Sequence, residues 1–132
     1  MKWGPLFEQS RSMNEQHDCS VRAVTVVSGK PYKDVHDVFT QCGRKNRQRT
    51  HPGITTVVLA RLSLCTENVT ARFGAKTIRA LERELNGSKG CYLVHTRGHI
   101  LGVRDGEVVD WTRGRLHRIQ LIQRVWEKDS HG

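Results

Sequence analysis

Apolar positions recur with helical spacing in the first half of the chain and alternate in the last third. Residues 19–28 carry apolar side chains on nearly every side (Val21, Ala23, Val24, Val26, Val27), the mark of a helix buried all round. Gly29 ends it. Pro31 opens a second helix over residues 31–42, with Tyr32, Val35, Val38 and Phe39 as its stripe and Gly43 as its stop. A third helix, residues 54–62, shows Ile54, Val57, Val58 and Leu62, and a loosely alternating stretch from 64 to 73 reads as a strand. Thr77 caps a short helix whose stripe is Ile78, Leu81 and Leu85. From Gly90 the period falls to two, which predicts strands over 91–95, 99–104, 107–111 and 116–126. Asp105-Gly106 is the strongest hairpin signal. Residues 1–17 read as irregular, anchored by Trp3, Leu6 and Phe7. Helices first and antiparallel strands afterwards make an α+β layout in one domain spanning residues 1–132.

Composition changes the picture in two ways. The chain has 22 Lys+Arg against 13 Asp+Glu, a formal charge of +9, which suits an acidic protein, nucleic acid or another anionic surface. Much of this charge lies in the basic loop at 44–53, where Arg44, Lys45, Arg47 and Arg49 form a candidate substrate-contacting group beside the simpler reading of a solvated loop. The four cysteines, at 19, 42, 65 and 91, are too few and too far apart for a disulfide framework. No apolar signal segment or membrane span is visible, so a reducing cytoplasm is the expected compartment and no membrane partner is expected.

The candidate chemistry gathers at Asp18-Cys19. An Asp N-cap would put Cys19 at the first helical position, where the helix dipole favours the thiolate. A partly buried structural cysteine is the plainer alternative. A thiolate nucleophile needs a base, and the base needs an orienting acceptor. With Asp105-Gly106 as the central turn residues, Arg104 faces Glu107, Val103 faces Val108, Gly102 faces Val109 and Leu101 faces Asp110. His99 then shares a face with Asp110 as a diagonal neighbour at roughly 7–8 Å, which long side chains bridge. A bulged turn would break that parity. The face also carries Leu101, Val103 and Val108, so it should be the core side, and a purely structural His–Asp pair remains the alternative. His95 competes as the base, whereas His17 is too close in sequence to take the Cys19 proton. For an oxyanion, the Cys19 N–H is available, with the Asn14 or Gln16 side chain as a second donor. Cys91, His95 and His99 are spaced by four, but on strands rather than a helix, so no metal site is expected and the chemistry calls for no cofactor.

The run Asp18-Cys19-Ser20-Val21-Arg22-Ala23, followed in order by Gly98-His99-Ile100 and Val108-Val109-Asp110-Trp111, resembles the papain-like cysteine peptidases. It is most similar to the double-glycine-type peptidases and their small phage-encoded relatives. Asp-Cys-Ser also resembles bacterial cell-wall endopeptidases of that fold, which use a second His where this chain has Asp110. Met13 stands where the family's Gln is usual, and Ser20 where its Gly is. The resemblance implies a papain-like fold, with a buried N-terminal helix carrying the cysteine, further helices and a C-terminal antiparallel sheet. It also implies a Cys19–His99–Asp110 triad, hydrolysis of a peptide or isopeptide bond in a protein or peptide substrate, and a phage or bacterial source acting in a host or bacterial cytoplasm. The alternative on the same scaffold is a basic binding protein without catalysis, either a host-factor inhibitor or a nucleic-acid binder. Aromatic residues are too sparse for a single-strand stacking platform.

Overall fold

The computed structural model describes residues 4–13 and 15–128. Its elements are α1 (Gly4–Ser12), α2 (Cys19–Ser28), α3 (Tyr32–Gln41), α4 (Pro52–Arg61), β1 (Leu64–Asn68), a 3-10 turn (Thr70–Arg72), α5 (Ile78–Glu84), β2 (Cys91–Thr96), β3 (His99–Arg104), β4 (Glu107–Val109) and β5 (Ile119–Glu127). This is a mixed α+β domain around a five-stranded antiparallel sheet of order β1-β5-β2-β3-β4. No helix among the described residues is long and apolar enough to cross a membrane.

The sheet is covered on both faces. Adjacent strand residues point opposite ways, so each strand feeds two cores. Leu93, Ile100, Val109 and Val125 pack with α2, α3 and Val58 of α4. Val94, Leu101, Val103, Val108 and Ile122 pack with Ile78, Leu81 and Leu85 on the α5 side. The Leu101–Val103–Val108 face is a core face, as expected, and α5 covers it.

Helix α2 is buried from Val21 to Val27 apart from the half-buried Arg22, and Gly29 ends it at φ 71°. It lies directly on Gly102: a Cβ there would stand 2.8 Å from the Ala23 carbonyl oxygen and 2.8 Å from Val26 Cβ. That close approach places the first turn of α2 beside the start of β3. The hairpin register is the one read from the Asp-Gly turn, with Arg104 opposite Glu107, Val103 opposite Val108 and Gly102 opposite Val109. Asp105 and Gly106 both take positive φ, 51° and 82°, as a type I′ turn requires.

Four local expectations are corrected. Part of the stretch read as irregular is helix α1, which has little apolar periodicity and docks through Leu6 and Ser10, one turn apart on one face and both buried. The strand expected over 64–73 stops at Asn68, whose Oδ1 accepts hydrogen bonds from the Thr70 N–H at 3.0 Å and the Thr70 hydroxyl at 2.7 Å. The last strand starts at Ile119, and Leu116 stays exposed before it. Asp18 does not cap α2 with its side chain. Its buried carboxylate instead takes the Ser10 and Tyr32 hydroxyls at 2.6 and 2.7 Å and Arg22 Nε at 3.3 Å, tying α1, α2 and α3 together.

Candidate active site

Cys19 opens α2, His99 opens β3, and Asp110 follows β4. His99 Nε2 and Asp110 Oδ2 lie 2.8 Å apart. Cys19 lies near enough to His99 for each to shift the other's titration. With Nε2 taken by Asp110, the ring nitrogen left for the thiol is Nδ1. Asp110 is held in turn by its own chain, because Thr112 donates its hydroxyl at 2.6 Å and its N–H at 3.1 Å to Oδ2. The Trp111 ring lies 5.1 Å from the His99 ring and 5.2 Å from that of His117.

The electrostatics of the three groups agree. Burial alone would raise the Cys19 thiol. The His99 hydrogen bond, a backbone hydrogen bond with Ile100 and the charges of His99 and Arg22 outweigh it, and the thiol is held below its ordinary value. Burial alone would lower His99, but the hydrogen bonds to Asp110 and Cys19 and the charges of both push it up to about 9. Asp110 is held below the usual carboxylate range, since bonds to His99 and Thr112 overcome its burial. Both shifts run toward the charged form, the thiol more readily ionised and the imidazole more readily protonated than when free. Cys91 behaves oppositely, its thiol pushed up chiefly by burial.

Cys19 and His99 line an open cleft of about 1060 Å³, and Asp110 is buried without lining it. The cleft walls come from α4 and the loop before it, the β2–β3 turn, and β5. A bulge in β5 lets Thr96 face Ile119 while His95 faces Leu121, and the extra residue, Gln120, lines the cleft.

The other candidates divide. His95 lines the cleft but lies 2.7 Å from Gln123 Oε1 through its Nε2, and it shares a strand face with Cys91 rather than with His99. Cys91, His95 and His99 therefore do not converge, and no group of three or more His, Cys, Asp or Glu among the described residues could hold a metal ion. Gln16 is exposed and does not line the cleft, whereas His17, at a positive φ of 57°, does. Asn14 lies outside the described residues. Arg44 corrects the reading of a solvated, substrate-facing cation. It is 3% exposed, and its two terminal guanidinium nitrogens donate to Glu15 at 2.6 and 3.0 Å, because a buried carboxylate needs a cation. Lys45 and Arg47 are exposed away from the cleft, and Arg47 gives its backbone N–H to Glu15. Of the four loop cations only Arg49 reaches the cleft.

Two positioning residues escaped the sequence reading. Arg22 bridges Asp18 at 3.3 Å and Asp110 at 3.7 Å, and its guanidinium lies 4.8 Å from the Phe7 ring. The i,i+4 spacing from Asp18 signals the first contact, but only tertiary structure brings the second. Thr112 forms a local Asp-x-Thr turn that is legible once Asp110 is taken seriously. No protein-family model, curated protein or solved structure matches the chain.

Proposed function

We propose that the chain is a cysteine-dependent hydrolase of papain-like type, acting on a peptide or isopeptide bond in a protein or peptide. One observation carries the reading: a histidine bonded to a buried carboxylate lines the same open cleft as a thiol at the start of a buried helix. The chain order Cys, His, Asp and the helix lying on an antiparallel sheet support the same assignment.

In this mechanism the Cys19 thiolate attacks the acyl carbon, and the C–S bond forms as charge moves to the carbonyl oxygen. The Cys19 N–H at the helix start holds that oxyanion. The C–N bond then breaks and the leaving nitrogen takes its proton from imidazolium His99. Neutral His99 next accepts a proton from water, the hydroxide attacks the thioester, and the C–S bond breaks. The acid leaves, the thiolate returns and the proton stays on His99. Asp110, held by Thr112 and Arg22, fixes the ring and its charge throughout.

The test is alkylation. Near pH 7, iodoacetamide should label Cys19 well before Cys42, Cys65 and Cys91, and His99→Ala should remove that advantage. Equal labelling of all four thiols overturns the reading.

A further inference from the structure

The cleft has a one-sided charge that the basic loop alone does not produce. Among the described residues that line it are Arg22, Arg49 and Arg97 and the histidines 17, 95, 99 and 117, with no aspartate or glutamate. Arg22 is committed to Asp18 and Asp110. Arg49 and Arg97 are exposed, and neither has a carboxylate within ion-pair distance among the described residues. They converge beside the histidine that faces Cys19: Arg97 belongs to the Arg97-Gly98 turn leading directly into His99, and Arg49 Nη1 lies 3.7 Å from the position a Cβ on Gly98 would take.

A second observation is independent of charge. Thr50 Oγ1 and His117 Nδ1 are buried atoms without a hydrogen-bond partner, and both residues line this cleft. Thr50 follows Arg49, and His117 packs edge-on against Trp111, which lies against His99. A buried polar atom left unpaired is costly, so two in one cleft mark places that a ligand's polar groups would complete. Arg49 and Arg97 with the Thr50 hydroxyl, and His117 in its Nδ1–H form, make a donor set suited to carboxylates. Leu59, Leu64, Leu93 and Ile100 add apolar wall to the same cleft. That mixture fits a peptide better than a phosphate backbone, and among the described residues Trp111 is the one indole or phenyl ring in the cleft for a base to stack on.

We propose that the cleft selects an acidic peptide segment, with Arg49 and Arg97 reading Asp or Glu side chains beside the acyl carbon presented to Cys19. The assignment rests on Cys19 being the nucleophile, and it moves recognition of acid from the 44–49 loop as a whole to one residue of that loop and one of the β2–β3 turn.

The experiment compares two reagents at Cys19, anionic iodoacetate and neutral iodoacetamide, in the full chain and in a double variant, Arg49→Ala with Arg97→Ala. Both side chains are exposed, so the variant should fold. The ratio of the two rates cancels any change in the thiol itself. A unit charge roughly 7 Å from a reacting centre in water alters a rate about threefold. The ratio should therefore fall about threefold to tenfold in the variant, and salt near 0.5 M should erase most of the difference. A ratio unmoved by the double substitution overturns the proposal even if Cys19 remains the fastest thiol. Equal labelling of all four cysteines by iodoacetamide instead removes the nucleophile reading beneath it. In a second arm, an oligoglutamate peptide should protect Cys19 from iodoacetamide in the full chain and fail to do so in the variant. Protection by oligo-dT of matching charge, as strong as that by the peptide, overturns the peptide assignment in favour of nucleic acid.

Discussion

His36 and His99 each meet a carboxylate through Nε2, yet the two pairs are built for opposite ends. Around His36 everything is closed. The Glu15 side chain is fully buried, and it takes Arg44 twice, the Arg47 N–H and the His36 ring, which Asn46 also contacts at 3.0 Å. Burial alone would raise Glu15, but this ring of donors holds it at about 2. The cluster fastens the loop before Cys19 to the loop after α3. Around His99 the carboxylate is equally well held, but the ring's far side faces a thiol and an open cleft. A histidine–carboxylate pair is thus not a signature of chemistry. What separates these two is whether the ring also stands beside a thiol at an open cleft.

Crossed substitutions give the largest effects. His99→Ala should slow iodoacetamide alkylation of Cys19 near pH 6, by roughly tenfold for each unit the thiol pKa rises once the imidazolium is gone. Its stability should fall as well below pH 9, since the raised His99 stabilises the fold there and buried Asp110 loses its partner. Glu15→Gln should separate the two readouts. It leaves Arg44 buried without its carboxylate, at a cost of about 3–5 kcal/mol read from urea unfolding, while Cys19 remains the fastest thiol in the folded fraction. If Glu15→Gln silences Cys19 without loss of stability, the two clusters are one device and the contrast fails.

Asp110→Asn probes the open pair alone. His99 is raised to about 9 largely by its bonds to Asp110 and Cys19. Its pairing therefore stabilises the fold fully below the ordinary value of 6.5 and loses that contribution as pH rises through about 9. Without the carboxylate charge the His99 pKa falls, so the alkaline limb of Cys19 reactivity should move down by a unit or more. A limb that stays in place assigns that titration to another group.

Gly102→Ala tests how the open pair is assembled. A Cβ at 2.8 Å from the Ala23 carbonyl forces α2 away from β3, with an expected loss of about 1–3 kcal/mol in unfolding free energy. Because Cys19 rides on α2 and His99 on β3, reactivity should fall with stability. Glu15→Gln should not link the two readouts in this way.

The open pair was far more legible in the sequence than the closed one, for a physical reason. Asp105-Gly106 sets its turn locally, and the period of two then carries parity out to His99 and Asp110, so the register follows from neighbours in sequence. Glu15 and Arg44 stand 29 residues apart on loops without periodicity, and their pairing is dictated by burial, which no local pattern announces. The same blindness affected Asp18. Its residue type and position matched an N-cap, but hydroxyls from α1 and α3 compete for the carboxylate and win. Arg97 was invisible as a cleft residue because its importance comes from which turn overhangs the site, not from any motif. Gly102 matters because α2 lies on it, a contact between elements that no local pattern announces.

Thr112→Val should have the smallest effect and makes the finest distinction. Thr112 is fully buried, and valine keeps its shape while removing the hydroxyl that donates to Asp110 Oδ2 at 2.6 Å. The backbone N–H at 3.1 Å and the His99 ring remain, so the carboxylate stays in place with one donor fewer. The expected loss is about 1 kcal/mol, since the hydroxyl is removed rather than left buried and unpaired. The pH consequence is directional. Asp110 is held below its ordinary value of 3.8, a contribution present above that pH and lost as pH falls through the depressed value. Removing a donor to the carboxylate raises Asp110 toward 3.8, so the acid limb of stability moves up. The charge that supports His99 at neutral pH is unchanged, so the alkaline limb of Cys19 reactivity should hold still. Thr112→Val and Asp110→Asn therefore act on opposite ends of the pH profile if Thr112 serves the carboxylate and the carboxylate serves the ring. An alkaline limb that shifts as far in Thr112→Val as in Asp110→Asn would mean that the hydroxyl, not the local turn, keeps Asp110 within reach of His99.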